Sequence, residues 1–396
     1  APSALATIRP HALRGRSCEG AGRRSRQAGM TPQHAVLATA ATATLASVLF
    51  LRRHRAAVPP AVPSTMMAVV ARDGKLVVEK AWPTPVPAAG EVLIRVRTTS
   101  INRLDTVQRK GLAKPPPGTT EVLGLECAGE VAASGNGASF SPGDRVIALL
   151  PGGGYAEYVS VSALTVMRMP EHLSWAEAGS IAEAWLTAYQ LVVLTAGVKP
   201  GDVVLIHAAS SGVGLAAIQI VAGVLGATPV VTVGSKQKLE LCVAHGAVGG
   251  AVRTDGEWAA KVIELSPTGS FSVVLDPVAG AYAAQNLQVL GVDGRWVLYS
   301  SLSGPAMGEE LSKTFLKELM LKRISLLATT LRARPLAYKA ELVRRFAREV
   351  LPRLGRPGGL QLTIDRQVAG LDSAQAAHDY MESNANMGKI VLDVSA

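Results

Sequence analysis

Cysteine and aromatic residues are scarce in this chain of 396 residues. The three cysteines, Cys18, Cys127 and Cys242, lie far apart and form no C-x-x-C pair, so the sequence indicates neither a disulfide framework nor a structural zinc site. Aromatic residues make up only 4%, whereas 39 glycines suit tight turns and close packing of helices on a sheet. With 48% hydrophobic residues, the chain is long enough for two domains that each have a core.

Acidic residues are nearly absent from residues 1–65, which hold nine arginines and one acid, Glu19. This segment therefore carries +8 (nine minus one) of the total net charge of +10, which leaves +2 for residues 66–396. A nearly neutral body lacks the basic surface that nucleic-acid binding requires, so we expect no nucleic-acid partner.

The N-terminal extension has the composition of a targeting sequence. Its first part is rich in Arg, Ser and Ala, and residues 35–51 are free of charge and are followed by "RRHR". Three interpretations stay open: a cleaved transit peptide for an organelle (mitochondrion or plastid), a membrane anchor formed by residues 35–51, or a leader without a targeting role that leaves the protein in the cytoplasm. A Pro-rich linker follows, and the folded body is expected to begin near Met66.

The body divides into two patterns. Residues 66–188 contain short apolar or alternating runs between Pro and Gly, which predict a small β-barrel-like domain. Residues 189–334 contain six apolar runs separated by segments of helical composition, which predict a doubly wound parallel sheet in an α/β fold. The tail, residues 335–396, has strand, helix and strand character and is expected to complete the first domain.

A loop of small residues follows the first strand of the predicted parallel sheet. In "HAASSGVGLAAIQ", small residues let the backbone turn tightly into a helix, whose first amides can bind a pyrophosphate. An NAD site commonly has an acid at the end of the second strand, but this chain has Ser235 and Lys238 there, with Arg253 at the end of the third strand. These residues suit a 2′-phosphate, so the sequence predicts NADPH as the cofactor. Lys236 is interpreted as a solvated bystander.

The motifs resemble the zinc-free quinone oxidoreductases, the zeta-crystallin-like branch of the medium-chain dehydrogenase/reductase superfamily. The resemblance covers residues 66–396 and rests on "SINRLD", "KPPPG", "LGLECAGEV", "LLPGGGYAEYV", "AEAWLTAYQ", "HAASSGVGLAAIQ", "GSKQKL" and "NMGKIVL". It is greatest for the subgroup of tumour-suppressor-inducible NADPH:quinone reductases. It implies a Rossmann NADPH-binding domain and a GroES-like β-barrel catalytic domain. Zinc-dependent relatives have Cys and His where this chain has Asn102 and Leu125, so no metal is expected.

The resemblance also implies positions for the cofactor and the acceptor. Asn102 and Thr187 would flank the nicotinamide, and Asn102 would also border the substrate pocket. The other residues that the resemblance brings to the cofactor are Ser211, Gly212, Val213, Ser235, Lys238, Arg253, Tyr299, Ser300, Leu302, Leu331, Arg332, Asn386 and Lys389. The acceptor would lie between the domains, against Ala113, Gly153, Tyr155 and Trp185. Purely structural roles remain alternatives: Asn102 as a turn residue, Thr187 as a helix residue that makes only a backbone bond, and Lys389 as a surface charge before a strand. Glu126 is interpreted as structural.

One departure from the family concerns the acceptor. Family members commonly have Tyr where this chain has Ala113, which would widen the pocket, and Tyr155 could partly refill it. The predicted activity is transfer of a hydride or electrons from NADPH to a quinone, without a metal, in a homodimer. An NADPH-dependent enone or alkenal reductase is the alternative enzyme. An NADPH-binding accessory subunit of a membrane complex is the alternative outside enzymes.

Overall fold

The structure is a computed structural model that describes residues 61–395. The extension of residues 1–60, including the apolar segment 35–51, lies outside the described residues. Within residues 61–395, no helix is long and apolar enough to cross a membrane.

Fifteen strands are formed within the described range. They are β1 (Thr65–Arg72), β2 (Lys75–Pro83), β3 (Glu91–Ile101), β4 (Glu126–Ser134), β5 (Arg145–Leu149), β6 (Tyr158–Ser162), β7 (Val166–Arg168), β8 (Val203–Ile206), β9 (Thr228–Val233), β10 (Gly249–Val252), β11 (Phe271–Asp276), β12 (Leu290–Leu298), β13 (Ser325–Ala328), β14 (Ile364–Ala369) and β15 (Lys389–Asp393).

Ten α-helices accompany them in the same range. They are α1 (Arg103–Arg109), α2 (Trp175–Ala178), α3 (Ala182–Tyr189), α4 (Gly212–Gln219), α5 (Lys236–Ala244), α6 (Trp258–Leu265), α7 (Ala283–Val289), α8 (Glu309–Leu321), α9 (Leu336–Glu349) and α10 (Ala374–Glu382). Turns of π-helix extend α3 over Gln190–Thr195 and α4 over Ile220–Val224.

The predicted parallel sheet is confirmed. Its six strands lie in the order β10-β9-β8-β11-β12-β13, and every neighbouring pair is parallel. Strands β8, β9 and β11 are buried almost throughout, because helices cover both faces of such a sheet. The order reverses between β8 and β11, which is where ligands bind in doubly wound sheets.

The second sheet combines the two ends of the body. Seven strands pair in the order β14-β15-β3-β4-β5-β7, with β6 also paired to β3, while β1 and β2 form an antiparallel pair. Strand β15 therefore returns from the tail to pair with β3. This return places Lys389, the first residue of β15, beside the end of β3 and the start of α1.

Candidate functional site

The turn after β8 exposes two backbone donors. Ala208 adopts a left-handed φ of 50°, and Ser211 caps α4 by accepting a hydrogen bond from the Gly214 amide at 3.1 Å. Within the described residues, the amides of Gly212 and Val213 donate to no protein acceptor. A helix N-terminus with free amides fits a pyrophosphate.

The tail of the chain contacts this turn directly. The Gly388 amide donates to the Ser210 carbonyl at 2.9 Å, and the Asn386 side chain donates to the Gly388 carbonyl at 3.1 Å. A Cβ on Gly212 would lie 2.6 Å from Cδ of Lys389, so glycine is required where the lysine stem crosses the turn. The structure therefore brings Asn386 and Lys389 to the predicted phosphate loop.

The Lys389 ammonium forms three hydrogen bonds within a buried polar cluster. Nζ donates to Oε1 of Glu126 at 2.8 Å, to Oδ1 of Asn102 at 2.6 Å and to the Ile101 carbonyl at 3.4 Å. The interpretation of Lys389 as a surface charge is wrong, because its side chain is only 8% exposed. Three acceptors engage the three ammonium hydrogens, so Lys389 meets the loop with its methylene stem.

Asn102 and Glu126 complete the cluster. The Asn102 amide donates to Oε1 of Glu126 at 2.9 Å and to the Ser100 carbonyl at 3.2 Å, and the Ser100 hydroxyl also donates to Glu126. Oε2 of Glu126 accepts from the backbone amide of Glu183 at 2.9 Å. Both carboxylate oxygens thus form hydrogen bonds within the protein, and Oε1 holds the amide of the half-buried Asn102 in place.

Three cations gather around the ends of β9 and β10. Ser235 caps α5 by accepting from the Lys238 amide at 3.3 Å, and Nζ of Lys238 donates to the Asn384 carbonyl at 2.5 Å. The pKa of Lys238 is lowered by burial and then by nearby Arg253 and Arg103. Arg253 is exposed beside Gly234. Arg103, which donates to Oδ1 of Asn384 at 2.7 Å, was missed, because only the returning tail brings it here.

Hydrogen bonds connect the loop after β13 of the parallel sheet to the loop after β5 and to helix α1. Arg332 donates to the Pro151 carbonyl and to Oε1 of Gln108, each at 2.7 Å. Leu331 is buried beside it. In the loop after β12, the Leu302 amide donates to the Pro277 carbonyl. Ser300 in this loop is exposed, and the half-buried Tyr299 packs on the hydrophobic core.

The residues predicted to surround the acceptor, and Thr187, which was predicted beside the nicotinamide, differ in their exposure. Ala113 and Thr187 are half-buried, Trp185 is 4% exposed, and Gly153 has a φ of 95° in a turn where a Cβ would lie 2.8 Å from Val159. Tyr155 is fully buried in the hydrophobic core of the second sheet, where its hydroxyl contacts Asp105 and His378 at 3.1 Å each. The expectation that Tyr155 refills the acceptor space is therefore wrong: its ring faces the core.

Two carboxyl groups near the cleft have raised pKa values. Burial raises the pKa of Asp105 to about 6, although hydrogen bonds from Asn102, Tyr155 and Gly124 oppose the shift. Burial, followed by the charge of Glu126, raises the pKa of Glu183 to about 8. Sequence reasoning missed both groups.

A buried polar network supports the phosphate loop from below. His207, directly before the turn, contacts the Thr232 hydroxyl at 2.7 Å and Oδ1 of Asn286 at 2.8 Å. Asn286 and Trp296 both donate to Oδ2 of Asp276, at 2.9 and 3.0 Å. Burial lowers the pKa of His207, so the network ties the loop to β9 and β11 through a neutral imidazole.

Comparisons with known proteins agree with this architecture. Residues 88–171 match the alcohol dehydrogenase GroES-like domain, and residues 212–348 match the zinc-binding dehydrogenase domain. A quinone oxidoreductase from Pseudomonas aeruginosa is 31% identical over 308 residues, 77% of this chain and 92% of that protein. A synaptic vesicle membrane protein VAT-1 homolog from Rattus norvegicus is 30% identical over 318 residues, 78% of each chain.

Two solved structures have the same fold over most of their length. Escherichia coli quinone oxidoreductase complexed with NADPH is 26% identical with a TM-score of 0.70, over 83% of this chain and 99% of that one. The CurK enoyl reductase gives the same identity, TM-score and coverage. With both domains, the two-sheet architecture and relatives at 30% identity in agreement, the chain belongs to the quinone oxidoreductase branch of the medium-chain dehydrogenase/reductase superfamily.

Proposed function

We propose that this oxidoreductase transfers reducing equivalents from NADPH to a quinone. The observation that carries the proposal is the cation pair Lys238 and Arg253, beside the phosphate loop, at the strand end where an NAD site commonly has an acid. A 2′-phosphate would bind these cations with charge-assisted hydrogen bonds. The ring of the cofactor would lie toward Thr187 and Asn102, and the acceptor between Gly153, Ala113 and the nicotinamide.

The proposed reaction uses no metal ion. Leu125 is fully buried and offers no ligand atom, and Asn102 is held by Lys389 and Glu126. Residues 61–395 contain no group of three His, Cys, Asp or Glu side chains placed to hold a metal. A quinone is electrophilic enough to accept a hydride without a Lewis acid, so orienting the quinone and excluding water can take the place of a metal ion.

Steady-state turnover with a panel of acceptors tests the proposal. We expect the full-length protein to oxidise NADPH with ortho- or para-quinones, and to keep that activity in the presence of a chelator. Higher kcat/KM for enones than for every quinone would favour the double-bond reductase, which the likeness to an enoyl reductase also supports. Tight NADPH binding without turnover of any acceptor would favour the accessory-subunit alternative.

The size of residue 113 is expected to select the acceptor. Ala113 lies in the loop after α1 and is half-buried, so Ala113→Tyr would place a ring in the proposed acceptor space. We expect kcat/KM to fall about tenfold for bulky quinones, equivalent to about 1.4 kcal/mol, and to change little for compact ones. Leu112→Tyr, at the neighbouring exposed position, is the control. An unchanged ratio across the size series would remove Ala113 from the pocket.

We propose that the free edge of β13 joins two copies of the chain. Among the strands of residues 61–395, β13 pairs only with β12. Leu326 on β13 is exposed, as are Leu316 and Met320 on α8. An unprotected apolar edge favours pairing with a second strand. We expect Leu326→Lys to convert a dimer to a monomer in sedimentation equilibrium, whereas Val86→Lys, at an exposed site elsewhere, should not. A monomeric wild-type protein would contradict this proposal.

A further inference from the structure

We propose that Glu183 is the catalytic acid that delivers a proton to the oxygen of the reduced acceptor. The proposal rests on the proposed quinone reduction and names the group that completes it. The reduction consumes one quinone, one NADPH and one proton, and yields a hydroquinone and NADP⁺. After hydride addition, one oxygen of the substrate carries the negative charge.

The position of Glu183 follows from contacts at the cleft. It lies in the first turn of α3, one turn before Thr187, and its backbone amide donates to Oε2 of Glu126 at 2.9 Å. Its carboxyl oxygens form no hydrogen bond with the described residues, and the residue keeps part of its surface exposed. The carboxyl group is therefore free to bind a substrate atom and to exchange its proton with water.

The acids Glu126 and Asp105 and the hydroxyl of Tyr155 already form hydrogen bonds within the protein. Glu126 is 1% exposed and accepts four hydrogen bonds, one of them from the Lys389 ammonium. Asp105 is fully buried and accepts from two backbone amides and from the Tyr155 hydroxyl. Tyr155 itself is fully buried. Among the described groups around the cleft, Glu183 is thus the acid with both an uncommitted carboxyl group and access to the surface.

Charges on four secondary-structure elements and one loop act on Glu183. Glu126 on β4 and Asp105 on α1 favour its protonated form, whereas Lys389 on β15, Arg332 after β13 and Lys339 on α9 favour its ionised form. Burial is the largest cause of the shift, and together with the two carboxylates it raises the pKa of Glu183 to about 8. Glu183 is then largely protonated at neutral pH, as a proton donor must be.

The proposed step moves one proton and breaks one bond. The O–H bond of Glu183 breaks, its proton forms a new O–H bond on the anionic oxygen of the substrate, and the hydroquinone leaves neutral. The carboxylate that remains regains a proton from water through its exposed side. Because the acid form is required, kcat/KM should be constant below the raised pKa and fall as the pH rises through it.

Two measurements on the full-length protein test the assignment. The first is kcat/KM for NADPH-dependent quinone reduction against pH, for wild type, Glu183→Gln, Glu183→Asp and the surface control Glu341→Gln. We expect Glu183→Gln to lose about 100-fold at neutral pH and to lose the alkaline fall. We expect Glu183→Asp to recover part of the rate and the control to match wild type.

The second measurement needs no turnover. Infrared difference spectra of the protein without acceptor, taken on either side of pH 8, should show a carboxylic-acid C=O band that titrates and that is missing in Glu183→Gln. Wild-type rate and pH profile in Glu183→Gln would overturn the assignment while leaving quinone reduction in place, and so would an unchanged infrared band. Failure of the wild-type protein to reduce any quinone would instead overturn the proposed function and, with it, the role of Glu183.

Discussion

Replacing Lys389 by Met is expected to lower the free energy of unfolding by about 3–5 kcal/mol. The substitution keeps most of the stem that crosses Gly212 but removes the ammonium. Glu126 would then be an uncompensated charge with a side chain 1% exposed, and Asn102 would lose the partner of its carbonyl oxygen. Breaking a buried ion pair at one partner is costly because the other charge stays out of water. Urea titration of the full-length protein measures the change.

A double variant separates the ion pair from the packing of the stem. Lys389→Met with Glu126→Gln removes both charges, and we expect it to regain much of the lost stability, since a neutral pair has no stranded charge. Lys75→Met, at an exposed position, is the matched control and should change stability by less than about 0.5 kcal/mol. Equal stability for Lys389→Met and Lys75→Met would show that the buried pair contributes nothing.

The sheets follow from the sequence more readily than the buried cluster does. Apolar runs alternating with helical segments specify the parallel sheet locally, and a turn of small residues marks the phosphate loop. Lys389 and Glu126, by contrast, are 263 residues apart and meet only because β15 pairs with β3. No local pattern distinguishes a lysine that begins a buried strand from one at the surface. The buried position of Lys389 therefore could not be predicted without knowing that β15 pairs with β3.

Tyr155 illustrates a second limit. In "GGGYAEYV" the alternation of residue types shows that successive side chains point to opposite sides, but it does not show which side faces the cleft. In the structure the Tyr155 hydroxyl contacts Asp105 and His378 in the core, so the ring points away from the predicted acceptor space. Glu183 was overlooked for a related reason: a helix pattern predicts its element, whereas its exposure in a cleft between two sheets depends on tertiary packing.

Removing Lys238 or Arg253 is expected to weaken NADPH binding selectively. Each cation would form charge-assisted hydrogen bonds with the 2′-phosphate worth about 1.5–3 kcal/mol. Lys238→Ala and Arg253→Ala should therefore each raise the Kd of NADPH roughly 10- to 100-fold, since about 1.4 kcal/mol is a factor of ten. NADH carries no 2′-phosphate, so its Kd should change little. Fluorescence titration of both cofactors with each variant gives the comparison.

The contacts of Lys238 determine the controls. Because Nζ donates to the Asn384 carbonyl at 2.5 Å, Lys238→Ala also removes a link to the tail, and a loss through that link would weaken both cofactors alike. Lys236→Ala, two residues away on exposed surface, removes the same charge without a link and should leave the preference nearly unchanged. In the double variant Lys238→Ala/Arg253→Ala we expect NADPH and NADH to bind with similar affinity. Lys238→Ala, Arg253→Ala and the double variant could instead weaken the binding of NADPH and NADH by equal factors. That result would mean that the cations stabilise the fold and that NADPH is not the preferred cofactor.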